Sequence, residues 1–213
     1  VLYRMLDNLS FSLSTDGSIN TMNANLNEFA QPTRYSWLTA FAGKYMNDWL
    51  TISASALATI INEDVKEGGS AGNHRKLTPY ISASFKPFYH EEFRIRFFYK
   101  DIFRLPSFND LYYQEVGNTK LRPENARQYN VGLTYSKNVC PFLPYLSATI
   151  DAYYNKVTDK IIAYPTKNLA VWSMRNLGEV EIKGIDATGS LSLQPWERIR
   201  INLSSNYTYQ QAL

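Results

Sequence analysis

Alternation of apolar and polar residues with a period of two, repeated along most of the chain, is the feature that most restricts how this polypeptide folds. From Leu50 to Ile60 the even positions are Leu50, Ile52, Ala54, Ala56, Ala58 and Ile60, while Thr51, Ser53, Ser55, Leu57 and Thr59 lie between them. The same rhythm carries Phe93, Ile95, Phe97 and Tyr99, then Tyr129, Val131, Leu133 and Tyr135, then Ala148, Ile150, Ala152 and Tyr154. It returns in Ile185, Ala187, Gly189, Leu191 and Leu193, and again in Ile199, Ile201, Leu203, Tyr207 and Tyr209. Successive side chains of a strand point to opposite faces, so each segment is a strand with one apolar and one polar side. No stretch has comparable helical spacing. The expected fold is all-β, an antiparallel up-and-down meander of about nine strands at 2–13, 34–46, 49–62, 77–88, 92–103, 127–137, 145–157, 182–194 and 198–211.

Strand length narrows the class. Most of these segments are ten residues or longer, whereas globular strands run about five or six residues. A tilted strand crossing a bilayer needs roughly 9–11. The connections alternate long and short: 14–33, 63–76, 104–126 and 158–181 are long, Asn47-Asp48, 89–91 and 195–197 are tight, and 138–144 is moderate. Outer-membrane barrels have short turns on the periplasmic side and longer loops outside. Aromatic residues near strand ends (Tyr35, Trp37, Tyr45, Trp49, Phe85, Phe88, Tyr89, Tyr135, Tyr145 and Trp196) match the interfacial girdles of such barrels. The rival for the same pattern is a soluble β-sandwich that binds carbohydrate, with the apolar faces closed into a core.

Composition removes other classes. The 213 residues carry 22 Lys plus Arg against 19 Asp plus Glu, a net charge of +3, which gives no footprint for nucleic acid. The longest uncharged stretch, Trp49 to Asn62, is 14 residues, short of the roughly 18 apolar residues of a membrane helix. The single cysteine, Cys140, excludes a disulfide framework and a paired-cysteine metal site. His74 lies in a glycine-rich segment and His90 in a turn, so both read as surface histidines. The pairs Glu63-Asp64 and Glu91-Glu92 sit at strand ends and read as solvated or headgroup-facing charge. Gly68-Gly69 lacks the lysine and the strand–helix context of a phosphate loop. We therefore expect no enzyme, no metal site and no cofactor.

Two segments are diagnostic. The first is Phe103-Arg-Leu-Pro-Ser-Phe-Asn-Asp-Leu-Tyr-Tyr113, followed by Gly117-Asn-Thr-Lys-Leu-Arg-Pro-Glu124 and Tyr129-Asn-Val-Gly-Leu133; the second is Asn176-Leu-Gly-Glu-Val-Glu-Ile-Lys-Gly-Ile-Asp186. In order and spacing they resemble elements of TonB-dependent outer-membrane receptors, with Asp186 where the family usually has glutamate. The residues that carry the resemblance are Phe103, Arg104, Pro106, Phe108, Leu111, Tyr112, Gly117, Asn118, Leu121, Pro123, Glu124, Asn176, Gly178, Gly184 and Asp186. The phrase Lys156-Val-Thr-Asp-Lys-Ile-Ile162 is further similar to receptors of gut Bacteroidetes.

The resemblance implies a large, 22-stranded barrel of the Gram-negative outer membrane, embedded in its lipid. This chain, 1–213, would be part of that barrel, with the plug domain and the TonB box outside it. The partners implied are a scarce small molecule and the TonB–ExbB–ExbD complex, engaged through the absent N-terminal part. The substrate expected is a ferric siderophore, haem or cobalamin, with an oligosaccharide as the alternative; no nucleic acid partner is implied. Ligand contact is expected from the long loops, at Tyr112, Tyr113, Tyr164, Trp172 and Arg175, because aromatic rings offer flat apolar area with a polar tip. In the first motif Pro106 and Pro123 withhold backbone donors and end ladder pairing. Arg122 and Glu124 are positioned to clamp the base of that loop.

Overall fold

The computed structural model describes residues 1–87, 92–114, 116–165 and 172–213. Its sheet is a single meander of ten strands in sequence order, each antiparallel to the next. The strands are β1 (Leu2–Leu6), β2 (Leu9–Thr21), β3 (Thr33–Met46), β4 (Leu50–Asp64), β5 (His74–Phe85), β6 (Phe93–Arg104), β7 (Glu124–Lys137), β8 (Tyr145–Pro165), β9 (Trp172–Trp196) and β10 (Ile199–Ala212). One helical turn, α1 (Phe108–Tyr112), interrupts the β6–β7 loop. No face-packed second sheet exists among the described residues, which removes the sandwich alternative.

Two sequence expectations need correction. The segment 2–13 is not one strand: it folds back at Asp7-Asn8, a pair of turn formers, and pairs Tyr3 with Phe11. The strand that follows runs on to Thr21, so the count is ten rather than nine. The second correction concerns 158–181. Its described parts, 158–165 and 172–181, are not loop but the upper half of a hairpin, in register from Thr158↔Glu179 to Pro165↔Trp172; 166–171 lie outside the described residues. Residues 14–21 are exposed on both faces, and in the upper hairpin Ile161 and Met174 pack into the loop core without an alternating run around them, so neither stretch displays a regular apolar alternation. Phe88, Tyr89, His90 and Glu91 lie outside the described residues.

Register shows how the alternation is used. Leu13, Phe41, Ala56 and Pro79 stand opposite one another across β2 to β5. Ile95, Leu133, Ile150, Ala187 and Tyr207 do the same across β6 to β10. Cross-strand partners share a face, so these rows form one continuous apolar surface. That surface is open: Ile52, Ile60, Trp37, Val131 and Ile150 are all exposed. Exposed apolar area on this scale marks a surface that something else covers. The opposite face carries Ser53, Ser55, Ser82, Ser84, Arg96, Asn130, Asp151 and Asp186.

On the apolar face the belt ends abruptly toward the long loops. Tyr99, Tyr129 and Tyr154 form one cross-strand row, with ring centroids 5.0 and 6.2 Å apart. The next row is Asp101, Arg127, Lys156 and Glu181. An aromatic row beneath a charged row is the order of a bilayer interface.

The polar face has its own bridge. Arg96 Nη2 on β6 reaches over Gly132 on β7 to both carboxylate oxygens of Asp151 on β8, at 3.0 and 2.9 Å. A Cβ at 132 would lie 2.9 Å from that Nη2 and collide with the Asp151 carboxylate. Replacing Gly132 with valine is therefore expected to break the bridge and overpack the site, lowering stability by about 1–3 kcal/mol. A denaturant midpoint equal to that of the parent would contradict this.

Candidate functional site

All the long connections and the tall β8–β9 hairpin gather at one end of the sheet, and there they pack on the polar face. Pairing of β6 with β7 stops at Arg104↔Glu124, where Pro106 and Pro123 follow and precede. Ser107 then caps α1: its Oγ accepts from Asp110 N at 3.2 Å, and Ser107 N donates to Asp110 Oδ2 at 2.8 Å. This reciprocal cap satisfies amides that a five-residue helix would otherwise leave open. It turns Leu111 and Tyr112 inward, where they are buried with Leu121 and with Ile161 of the hairpin. Ala30, Val65, Ala71, Phe108 and Met174 close around them. One small core thus ties four connections together.

At its centre is a charged network. Glu63, at the top of β4, has a side chain only 2% exposed, and Arg34 of β3 lies 2.7 Å from its Oε2. The Tyr112 hydroxyl donates to the other oxygen, Oε1, and accepts from Ala71 N at 3.1 Å. Arg34 also donates to the Pro106 carbonyl at 3.0 Å and lies over the Phe108 ring at 4.8 Å. Asn73 Oδ1 accepts from Glu63 N at 3.0 Å, and Ser70 Oγ donates to Glu63 O at 2.9 Å. A buried carboxylate is tolerable only with this density of partners.

The network governs two titrations. Burial first, and then the hydrogen bond to Glu63, push the Tyr112 phenol up to about 12. Its neutral form therefore supports the loop core fully below pH 10, and that support is lost as pH rises from 10 through about 12. In an absorbance titration Tyr112→Phe should remove one late phenol from the parent's curve; a variant curve identical to the parent's would refute the assignment. His74, beside Phe103 at 6.4 Å between ring centroids, is held below 6.5 by burial, partly offset by attraction to Glu63. Its neutral form supports the fold above pH 6.5, and that support is lost as pH falls below it.

A second lock joins the β6–β7 loop to the hairpin. Arg122 Nε and Nη2 donate to Asp159 Oδ1 at 2.9 and 2.5 Å. Asn176 accepts from Arg122 N at 2.9 Å and donates to the carbonyls of Arg122 and Asp159 at 2.9 and 2.7 Å. The expected Arg122–Glu124 clamp does not form. Glu124 pairs with Arg104 at 3.0 Å and accepts from Ile161 N at 2.5 Å. Arg122 and Glu124, separated by Pro123, thus serve different partners, one on the hairpin bend at Asp159 and the other on Arg104 and Ile161.

Gly117, Asn118 and Gly184 of the motifs are also placed by close contacts. Gly117 lies where a Cβ would come within 2.7 Å of Leu111 O, Tyr113 N and Tyr113 O. Asn118 donates to Met174 O at 3.0 Å. Gly184 sits beneath the Tyr153 phenol, Gly178 lies beside Asn176 in the hairpin, and Asp186 faces Asp151 across β8 and β9.

The five expected ligand contacts do not converge. Tyr112 is buried and its hydroxyl committed, so it holds the loops rather than a ligand. Tyr164 and Arg175 stack on each other at 5.2 Å; register puts both on the face that lower down is apolar, away from the polar interior. Tyr113 and Trp172 are exposed, and Trp172 shares the face of Met174 and Asn176. The sequence reading missed Arg34 and Asp159, and it took Glu63 for solvated or headgroup-facing charge, whereas that side chain is buried and paired. Parity held the signal for Glu63: it falls on the polar phase of β4, and Asp64 on the outward one.

Similarity to known proteins agrees with this architecture. The family described as TonB dependent receptor-like, beta-barrel, matches residues 3–213. A vitamin B12 transporter BtuB of Vibrio vulnificus is 34% identical over 84 residues, 39% of this chain and 13% of that protein. Its counterpart from Photobacterium profundum is 31% identical over 94 residues, 42% of this chain and 14% of that protein. Among solved structures, the copper transporter OprC superposes with a TM-score of 0.72 at 12% identity, over 97% of this chain and 35% of that one. The FrpB iron transporter of Neisseria meningitidis (F5-1 variant) gives 0.68 at 13% identity, over 97% of this chain and 35% of that one. The chain thus spans about a third of these structures, and their likeness is one of fold. One ordered meander, one open apolar face, the aromatic-to-charged boundary and the whole-chain match together make this chain a member of the TonB-dependent receptor β-barrel family.

Proposed function

We propose that this chain forms wall and loops of a Gram-negative outer-membrane receptor that imports a scarce small molecule, of the cobalamin or ferric-siderophore class. Import would be energised by the TonB complex through parts of the polypeptide beyond these residues. The observation that carries the reading is the 34% identity over 84 residues with a vitamin B12 transporter. The locked loops support it, because a pre-formed loop cluster binds without a large ordering cost.

The test uses the complete receptor in its own membrane. Radiolabelled cyanocobalamin and a ferric catecholate are offered separately, with and without a protonophore. Energy-dependent uptake of one of them is the expected result. Uptake of neither, with capture of an oligosaccharide instead, would overturn the proposed substrate class.

A further inference from the structure

The wall is not evenly laced. Backbone groups along a central antiparallel strand turn alternately to its two neighbours. Lys86 N donates to Trp49 O at 2.8 Å, so the even residues of β5 aim their backbone at β4 and the odd ones at β6. Ser136 N donates to Glu92 O at 2.7 Å, so the even residues of β6 aim at β7 and the odd ones at β5. The ladder these two strands share runs from Phe85↔Ile95 through Ile81↔Tyr99 and ends at Tyr80↔Lys100. Carried on in register, the next bonded pair would be Pro79 with Asp101, and Pro79 has no N–H to give. The ladder stops there, although β5 stays paired with β4 up to His74 and β6 with β7 up to Arg104.

Above that stop lies a seam. It starts at Asp101, in the charged row, and so stands clear of the hydrocarbon. A cavity of about 580 Å³ on the polar face is lined by Leu57, Thr59, Thr78, Pro79, Lys100 and Phe103, among others. A second cavity, of about 180 Å³, takes Arg127 from the outward row and Lys76 from the polar side, where Lys76 pairs with Thr59. Asp101 and Ile102 line both cavities, so the two faces meet through the seam. Higher up, the two sides are joined through side chains. The His74 ring meets Phe103, Arg34 holds the Pro106 carbonyl, and the Tyr112 hydroxyl sits between Glu63 and Ala71 N.

We propose that this seam is a lateral gate. The β2–β5 side and the β6–β9 side part above Tyr80 and Lys100, and the Glu63–Tyr112–Arg34 network is the latch. Opening gives the imported molecule a side entry to the polar cavity beneath the loops. A run without ladder bonds opens more readily than the paired rows below it. The entry step rests on the import function proposed above; the gate itself does not.

The experiment uses the complete receptor in vesicles, with Thr78→Cys as a reporter in the larger cavity, where Thr78 is only 8% exposed. Labelling by an impermeant maleimide is read on that peptide by mass spectrometry, and insertion is read separately by protease protection. Tyr112→Phe removes the latch hydroxyl and should speed labelling about tenfold. Pro79→Val returns an N–H opposite Asp101 and keeps an apolar outward side chain. It should slow labelling, and amide exchange at Asp101 and Phe103, about tenfold, the net effect of one or two main-chain hydrogen bonds. Equal labelling of the parent and both variants would make the seam a static gap and overturn the gate. If labelling responds as expected but Pro79→Val takes up cyanocobalamin or a ferric catecholate as fast as the parent, the side entry is refuted and the gate stands. Uptake of neither by the parent would instead count against the import function, with the labelling still deciding the gate.

Discussion

Replacing Glu63 with alanine is expected to unfasten the long-loop end of the molecule. Arg34, 12% exposed in its side chain, would keep only the Pro106 carbonyl and the Phe108 ring. Tyr112 would lose its acceptor while staying buried. Breaking a buried pair by deleting one partner costs about 3–5 kcal/mol, because the remaining charge stays out of water. The loss should be local, since Glu63 belongs to the loop core and the strand rows below do not depend on it. Protease cleavage in 65–73 and 105–123 should therefore accelerate while the sheet keeps its denaturant midpoint. Removing both charges together, as Arg34→Met with Glu63→Leu, should cost much less, because no charge is then stranded. If Glu63→Ala resisted proteolysis like the parent, the network would be a bystander rather than the fastening.

What the sequence revealed and what it concealed divide along the same physical line. Wherever a strand has one wet face and one apolar face, as in 49–62 or 127–137, alternation displayed the strand and its sidedness together. In 14–21 both faces are exposed and the strand rests on ladder pairing, and in the upper hairpin the support comes from the loop core through Ile161 and Met174; residues such as Ser18, Asn20 and Ser173 carry no periodic signal. The loop core was half legible. Pro106, Gly117 and Asn176 stood out as a motif, but their partners Glu63, Arg34 and Asp159 are distant in sequence and ordinary in type. Tyr112 shows the cost of reading a loop aromatic as a ligand contact: its position in a one-turn helix, fixed by the Ser107–Asp110 cap, points it inward. Whether a loop tyrosine is presented or buried depends on contacts the linear pattern does not contain.

Sidedness makes the second large prediction. Ala56 stands in the outward row with Leu13, Phe41 and Pro79. Its neighbour Ser55 pairs with Ala42 and Tyr80 and lines a cavity of about 580 Å³ on the polar face, with Thr59, Thr78 and Lys100. Arginine at Ala56 would be driven into hydrocarbon, which for a barrel costs about 2–4 kcal/mol near the midplane and falls toward zero at the interfaces. Ala56 lies midway between Ile52 and Ile60, so the cost should be near that maximum. Arginine at Ser55 meets open volume on that side, where its long side chain can reach water, so folding should change little. The two residues are adjacent, have similar strand propensity and occupy the same height, so composition and local backbone cancel in the comparison. Folding of the complete receptor into vesicles, followed as a urea titration, should show Ala56→Arg shifted to lower denaturant and Ser55→Arg near the parent. Equal shifts would mean that the apolar face of this sheet does not meet lipid, and the reversed order would mean that the inside and outside of the wall have been exchanged.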